Sequence, residues 1–95
     1  MDIHIKSDDS KKTSMAIEGE MTIYSAGEIK NALIEYLTDC NEINIDLSMV
    51  SKIDTSGFQL LLLAKIESQR RDIPFKILDT SQEVENIFNL FGESY

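Results

Sequence analysis

The chain has 95 residues, 42% of them hydrophobic, and 17 acidic against 9 basic residues give a formal net charge of −8. A chain of this length buries only about two-thirds of its unfolded surface, which allows one small domain over 1–95, and its acidity excludes nucleic-acid phosphates and anionic membranes as partners in favour of a basic protein surface. One cysteine (Cys40) and one histidine (His4) give neither an internal disulfide nor a zinc cluster, so no metal or other cofactor is expected.

Ile3 and Ile5 alternate with Asp2, His4 and Lys6, the period of a half-buried strand, and the polar run SDDSKKTS turns the chain. Met15, Ile17 and Gly19 alternate in a second strand that pairs with the first as an antiparallel hairpin. Ser25 and Glu28 have the spacing of a capping box, with Tyr24 as a staple on Ile29. The helix they open carries Ile29, Ala32, Leu33, Tyr36, Leu37 and Cys40 on one face. Ile43, Ile45 and Leu47 make a third strand, and SMVSKID reads as irregular.

A second helix begins at Asp54-Thr55-Ser56-Gly57 and runs to about 71, apolar in its first half and solvated over Lys65 to Asp72. Ile73, Phe75 and Ile77 form a fourth strand, with Pro74 at its start where no ladder N–H is needed. Thr80 and Glu83 repeat the capping-box spacing before a last amphipathic helix through Val84, Ile87, Phe88 and Phe91, which Gly92 closes. The order β-β-α-β-α-β-α implies an α/β fold with a mixed, mostly parallel sheet of about four strands packed with helices. No window reaches the roughly 18 apolar residues of a membrane span, and the N-terminus MDIHIKSDD lacks the regions of a signal peptide, so the expected setting is cytoplasmic, without membrane insertion.

In IDTSGFQLLLLAK, Ile53 to Lys65, four small or polar residues interrupt an apolar stretch at a helix mouth. Asp or Thr serves as an N-cap, worth about 1 kcal/mol, and that accounts for one of the three polar side chains. Gly57 costs about 1 kcal/mol relative to Ala in a first turn unless the backbone is closely approached there. The free N–H groups and positive dipole end of a helix suit a phosphate group, and a hydroxyl at that place can accept one. A phosphoryl group on Thr55 would bring roughly −1.5 to −2 charge beside Asp54.

These residues resemble the STAS domain family, most closely the small bacterial anti-sigma factor antagonists. The likeness rests on GEMTIYSAGEIKNAL at Gly19 to Leu33, INIDLSMVSKIDTSGFQLLLLA at Ile43 to Ala64, and IFNLFG at Ile87 to Gly92. It implies Thr55 as phosphoacceptor, with Ser56 the second candidate. It also implies a partner-binding rim of Asp54, Thr55, Ser56, Gly57, Phe58, Gln59 and Thr22. Thr22 stands where the family often has aspartate, and Phe58 where it has a small aliphatic residue.

The implied function is a partner switch in signal transduction and transcription regulation. The unmodified protein binds a Ser/Thr kinase of the histidine-kinase-like ATPase type, commonly an anti-sigma factor; phosphorylation releases it, and a metal-dependent Ser/Thr phosphatase resets it. The alternative within the family is a non-enzymatic subunit of a lipid-exporting ABC transporter or of a chemotaxis-associated assembly. Catalysis by the chain itself is not expected, because neighbours in sequence at a helix start, such as Asp54 and Thr55, seldom point at one another, no histidine is near, and no phosphate loop is present.

Overall fold

Met15, Ile17 and Met21, and likewise Ile43, Ile45 and Leu47, stand at alternate positions along the chain, and this alternation gives the sheet one buried face. The computed structural model describes residues 2–7, 12–38 and 41–92. Its elements are β1 (Asp2–Ser7), β2 (Lys12–Met21), α1 (Ala26–Thr38), β3 (Glu42–Leu47), β4 (Val50–Ile53), α2 (Thr55–Arg70), β5 (Phe75–Thr80) and α3 (Gln82–Leu90). The Cys40 reading and the side chains of His4 and Leu37 lie outside what is described.

β1 pairs antiparallel with β2, placing Asp2 opposite Glu18 and Ser7 opposite Thr13. β2 runs parallel to β3, and β3 parallel to β5, so the expected mixed, mostly parallel sheet is present. Among the described residues the sheet has five strands, and the order is β-β-α-β-β-α-β-α. The additional strand is β4, within SMVSKID, where the expectation is an irregular stretch. Its cause is the length of β2: Lys12–Ala16 carry β3, and the ladder groups of Gly19–Met21 remain for another partner. After β3 the chain turns at Ser48, whose N–H donates to Asp46 Oδ1 at 2.9 Å, and Val50–Ile53 then lie parallel along Gly19–Met21. The register shifts between Gly19 and Glu20, and Gly19 takes φ 99°, a conformation that costs glycine little.

Met15, Ile17 and Met21 of β2 and Ile43, Ile45 and Leu47 of β3 are fully buried. The helices cover them with Ile29, Leu33 and Tyr36 from α1, Phe58, Leu60, Leu61 and Ala64 from α2, and Val84 and Phe88 from α3. On the intervening positions Ser14, Ala16, Asn44 and Asp46 are half-buried and Glu18, Lys76 and Leu78 exposed, so the opposite face is left largely to solvent.

Helix starts depart in detail from expectation. Ser25 precedes α1, but its hydroxyl serves the turn before it, accepting the Thr22 N–H at 2.9 Å and donating to Glu20 O at 2.8 Å. Tyr24 is 97% exposed while Ile29 is fully buried, so the staple does not form. α3 is capped by Ser81, one residue after Thr80, with Ser81 Oγ accepting the Val84 N–H at 3.3 Å. Of the two cap candidates at the start of α2, Asp54 and Thr55, it is Asp54 that caps: it is extended (φ −114°, ψ −175°) and its side chain accepts the Gly57 N–H.

Candidate functional site

β2 and β4 end side by side, Met21 opposite Ile53, and the segments that follow them share one rim of the sheet. The Asp54 N–H donates to Met21 O at 3.2 Å, which brings the start of α2 against the end of β2. The approach is close enough to require Gly57. A Cβ there would stand 2.3 Å from Met21 O and 2.9 Å from Met21 Cβ, so the backbone contact anticipated from the sequence is the reason for the glycine.

Asp54 organises the rim with both carboxylate oxygens. Oδ1 accepts the Gly57 N–H at 3.1 Å and Oδ2 accepts the Ile23 N–H at 3.1 Å. One side chain thus caps α2 and ties it to the Thr22–Ser25 turn, which is closed by the Ser25 N–H donating to Thr22 O at 3.0 Å. Thr55 follows on the first turn of α2 and is exposed, Ser56 is half-buried, and Gln59 is exposed. The hydroxyl of Thr55 therefore stands at the positive end of the α2 dipole, on the surface.

Three residues expected on this surface belong to the interior: Phe58, Thr22 and Gly57. Phe58 is 4% exposed, meets the Phe88 ring edge-on at 5.3 Å, and stacks with Phe91 at 4.7 Å. It faces inward because it lies three residues before Leu61, on the stripe of α2 that packs on the sheet and α3. Thr22 is 5% exposed and has its backbone engaged by Ser25. Gly57 is also buried, so its part is to let α2 approach β2. What the sequence reading missed is the neighbouring pair Ile23 and Tyr24, 65% and 97% exposed. Two large apolar residues between a buried threonine and a turn-forming serine were the available signal.

The leucine run divides by helical phase. Leu60 and Leu61 are core, Leu62 is partly buried, and Leu63 is exposed at the mouth of a groove of about 460 Å³ between α1 and α2. Lys30, Leu33, Ile34, Glu67 and Arg71 also line that groove. At its edge Arg70, first, and then Arg71 donate to Glu67 and hold its carboxyl down to about 2. Among the described residues no group of three or more His, Cys, Asp or Glu could hold a metal ion, and no helix is long and apolar enough to cross a membrane.

A family model for the STAS domain matches residues 4–94. Among solved structures, an anti-sigma factor antagonist from Mycobacterium paratuberculosis superposes with a TM-score of 0.83 at 18% identity, covering 96% of this chain and 77% of that one. The Bacillus cell fate determinant SpoIIAA in its phosphorylated form gives 0.74 at 17% identity, covering 96% and 84%. Mglu gives 0.71 at 16% identity, over 83% of this chain but only 20% of its own length. At these identities the likeness is one of fold, and the fold extends to a protein of another kind. No curated protein matches the sequence significantly.

Proposed function

The chain belongs to the STAS domain family, and on that premise we propose that it is a partner-switching regulator of the anti-sigma factor antagonist kind. Unmodified, it binds a Ser/Thr kinase of the histidine-kinase-like ATPase type. The kinase transfers the terminal phosphoryl group of ATP to Thr55 Oγ, the hydroxyl proton is lost, ADP leaves, and the complex dissociates. A metal-dependent phosphatase hydrolyses the phosphomonoester with water and restores the binding form. The chain is ligand and substrate in turn and catalyses neither step.

The observation that carries this reading is the exposure of Thr55 on the first turn of α2, beside a carboxylate already committed to two backbone N–H groups. An exposed residue at that place is open to a kinase. A partner surface that closes over Thr55, Gln59 and the exposed Ile23 and Tyr24 would have to desolvate the phosphoryl dianion, at several kcal/mol if no cation of its own pairs with it. The fold-level likeness to proteins described as anti-sigma factor antagonists, among them SpoIIAA, which is also known in a phosphorylated form, supports the same direction.

The test is intact-mass and peptide analysis after incubation with ATP and a co-encoded kinase of this type. Wild type should gain one phosphoryl group on Thr55, Thr55→Ala none, and Ser56→Ala the same as wild type. Thr55→Glu should lower kinase affinity by about 100-fold, or about 2.7 kcal/mol, with unfolding changed by less than about 0.5 kcal/mol. Modification that persists in Thr55→Ala moves the site to Ser56. No modification of any variant, together with constant copurification with a transporter ATPase, makes the chain a fixed subunit instead.

A further inference from the structure

Asp54 does more than a helix cap requires. The ordinary cap bond uses one oxygen, on the Gly57 N–H; the other oxygen reaches the Ile23 N–H, 31 positions away in sequence. Among the described residues, the other polar bonds of the Thr22–Ser25 turn run within the turn itself, to Glu20 at the end of β2, or from the Ile29 N–H of α1 to Ser25 O. The Ile23 bond is therefore the polar tie between this turn and the first turn of α2. What it steadies is a pair of apolar side chains offered to solvent, Ile23 and Tyr24. A backbone fixed before docking spares the ordering cost of the contacts it presents.

We propose that Asp54 is a positioning residue that relays the charge state of Thr55 to the Ile23–Tyr24 turn. This deepens the switch reading above and rests on it. With Thr55 unmodified, the carboxylate bridges Gly57 and Ile23 and holds the turn. A phosphoryl group on Thr55 introduces a dianion at the positive end of α2, where it competes for the same helix N–H groups and repels the adjacent carboxylate. Both Asp54 bonds belong to one planar group, so a carboxylate drawn or pushed from Gly57 loses its aim at Ile23. Release of the partner then has two components: repulsion at Thr55 and loosening of the apolar contact beside it.

Amide hydrogen exchange on the whole chain tests the relay without any kinase. Three proteins are compared: wild type, Asp54→Ser, and the chain synthesised with phosphothreonine at position 55. Serine keeps a cap acceptor for α2 and is too short to serve two amides. The Ile23 amide should exchange at least tenfold faster in Asp54→Ser and in the phosphorylated chain, while the Ile17 and Ile45 amides in the core keep their wild-type rates. An Ile23 rate unchanged in the phosphorylated chain overturns the relay, as does a rise that Ile17 and Ile45 share. Because the phosphorylated chain has no substitution, its result stands even if Asp54→Ser fails to fold. Failure of every kinase to modify Thr55 would remove the switch reading and leave these exchange rates as stated, so the two failures are distinct.

Discussion

At Gly57 a single methyl group decides whether α2 can begin where it does. The atom it would strike is a backbone carbonyl oxygen, Met21 O, which also accepts the Asp54 N–H and cannot swing aside as a long side chain could. Alanine has the better helix propensity by about 1 kcal/mol, and at an open position the substitution would stabilise. Here the overpacking cost, about 1–3 kcal/mol, outweighs it, because the first turn of α2 must lift from the end of β2. Gly57→Ala should therefore lower the urea midpoint of unfolding at unchanged slope. A midpoint at or above wild type would mean that the rim relaxes freely, and the tight Asp54 geometry would lose its structural basis. Phe58 shows the same closeness from the other side, since its ring sits between Phe88 and Phe91 and leaves no side chain to offer a partner.

Among the elements, α2 carries both the core stripe and the charged outer surface. Glu67 on that surface accepts from Arg70 and Arg71, and these hydrogen bonds, Arg70 first, bring its carboxyl from 4.5 to about 2. A carboxyl depressed in the folded state stabilises the fold above its unfolded value, and that contribution disappears as pH falls through the folded value. Glu67→Gln should thus be less stable than wild type at neutral pH. The difference should shrink below pH 4.5 and vanish near pH 2, as followed by denaturant titrations across that range. A difference independent of pH would assign the effect to packing of the side-chain stem. The strands with strict alternation, Met15 and Ile17, then Ile43, Ile45 and Leu47, were legible because each second position is buried. The start of α2 was legible too, although residue type left both Asp54 and Thr55 open as its cap. β4 was not legible: in VSKI only Val50 is buried, and the strand exists because β2 extends beyond β3 and leaves a ladder to fill. Nor did spacing separate Ser81 from Thr80 as the α3 cap, since neighbouring hydroxyls read alike until the backbone direction is fixed. At the site, the position of Thr55 could be read locally, whereas the bond from Asp54 to Ile23 depends on two strand ends meeting in space.

Over the whole molecule, acids exceed bases by eight, 17 against 9, and the sum of their fields opposes folding. Some acids are placed where a local charge favours them: Glu28 in the first turn of α1, and Glu83 and Glu85 in that of α3, lie near positive dipole ends. Glu67 has two arginines. Salt acts on both kinds of interaction, weakening these attractions and also the longer-range repulsion among the remaining acids. Raising ionic strength from about 0.01 M to about 0.15 M shortens the screening length from roughly 30 Å to roughly 8 Å, which removes most interactions across a molecule 35 Å long and leaves contacts of a few ångströms comparatively intact. Repulsion, being the more numerous and more distant, loses more. The urea midpoint should consequently rise over this range of sodium chloride, and it should rise by the same amount in Thr55→Ala, which leaves the net charge unaltered. A midpoint that falls with salt would mean that ion pairs dominate the electrostatics of the fold. The acidic excess would then have to be matched by close cationic contacts well beyond the cluster at Glu67.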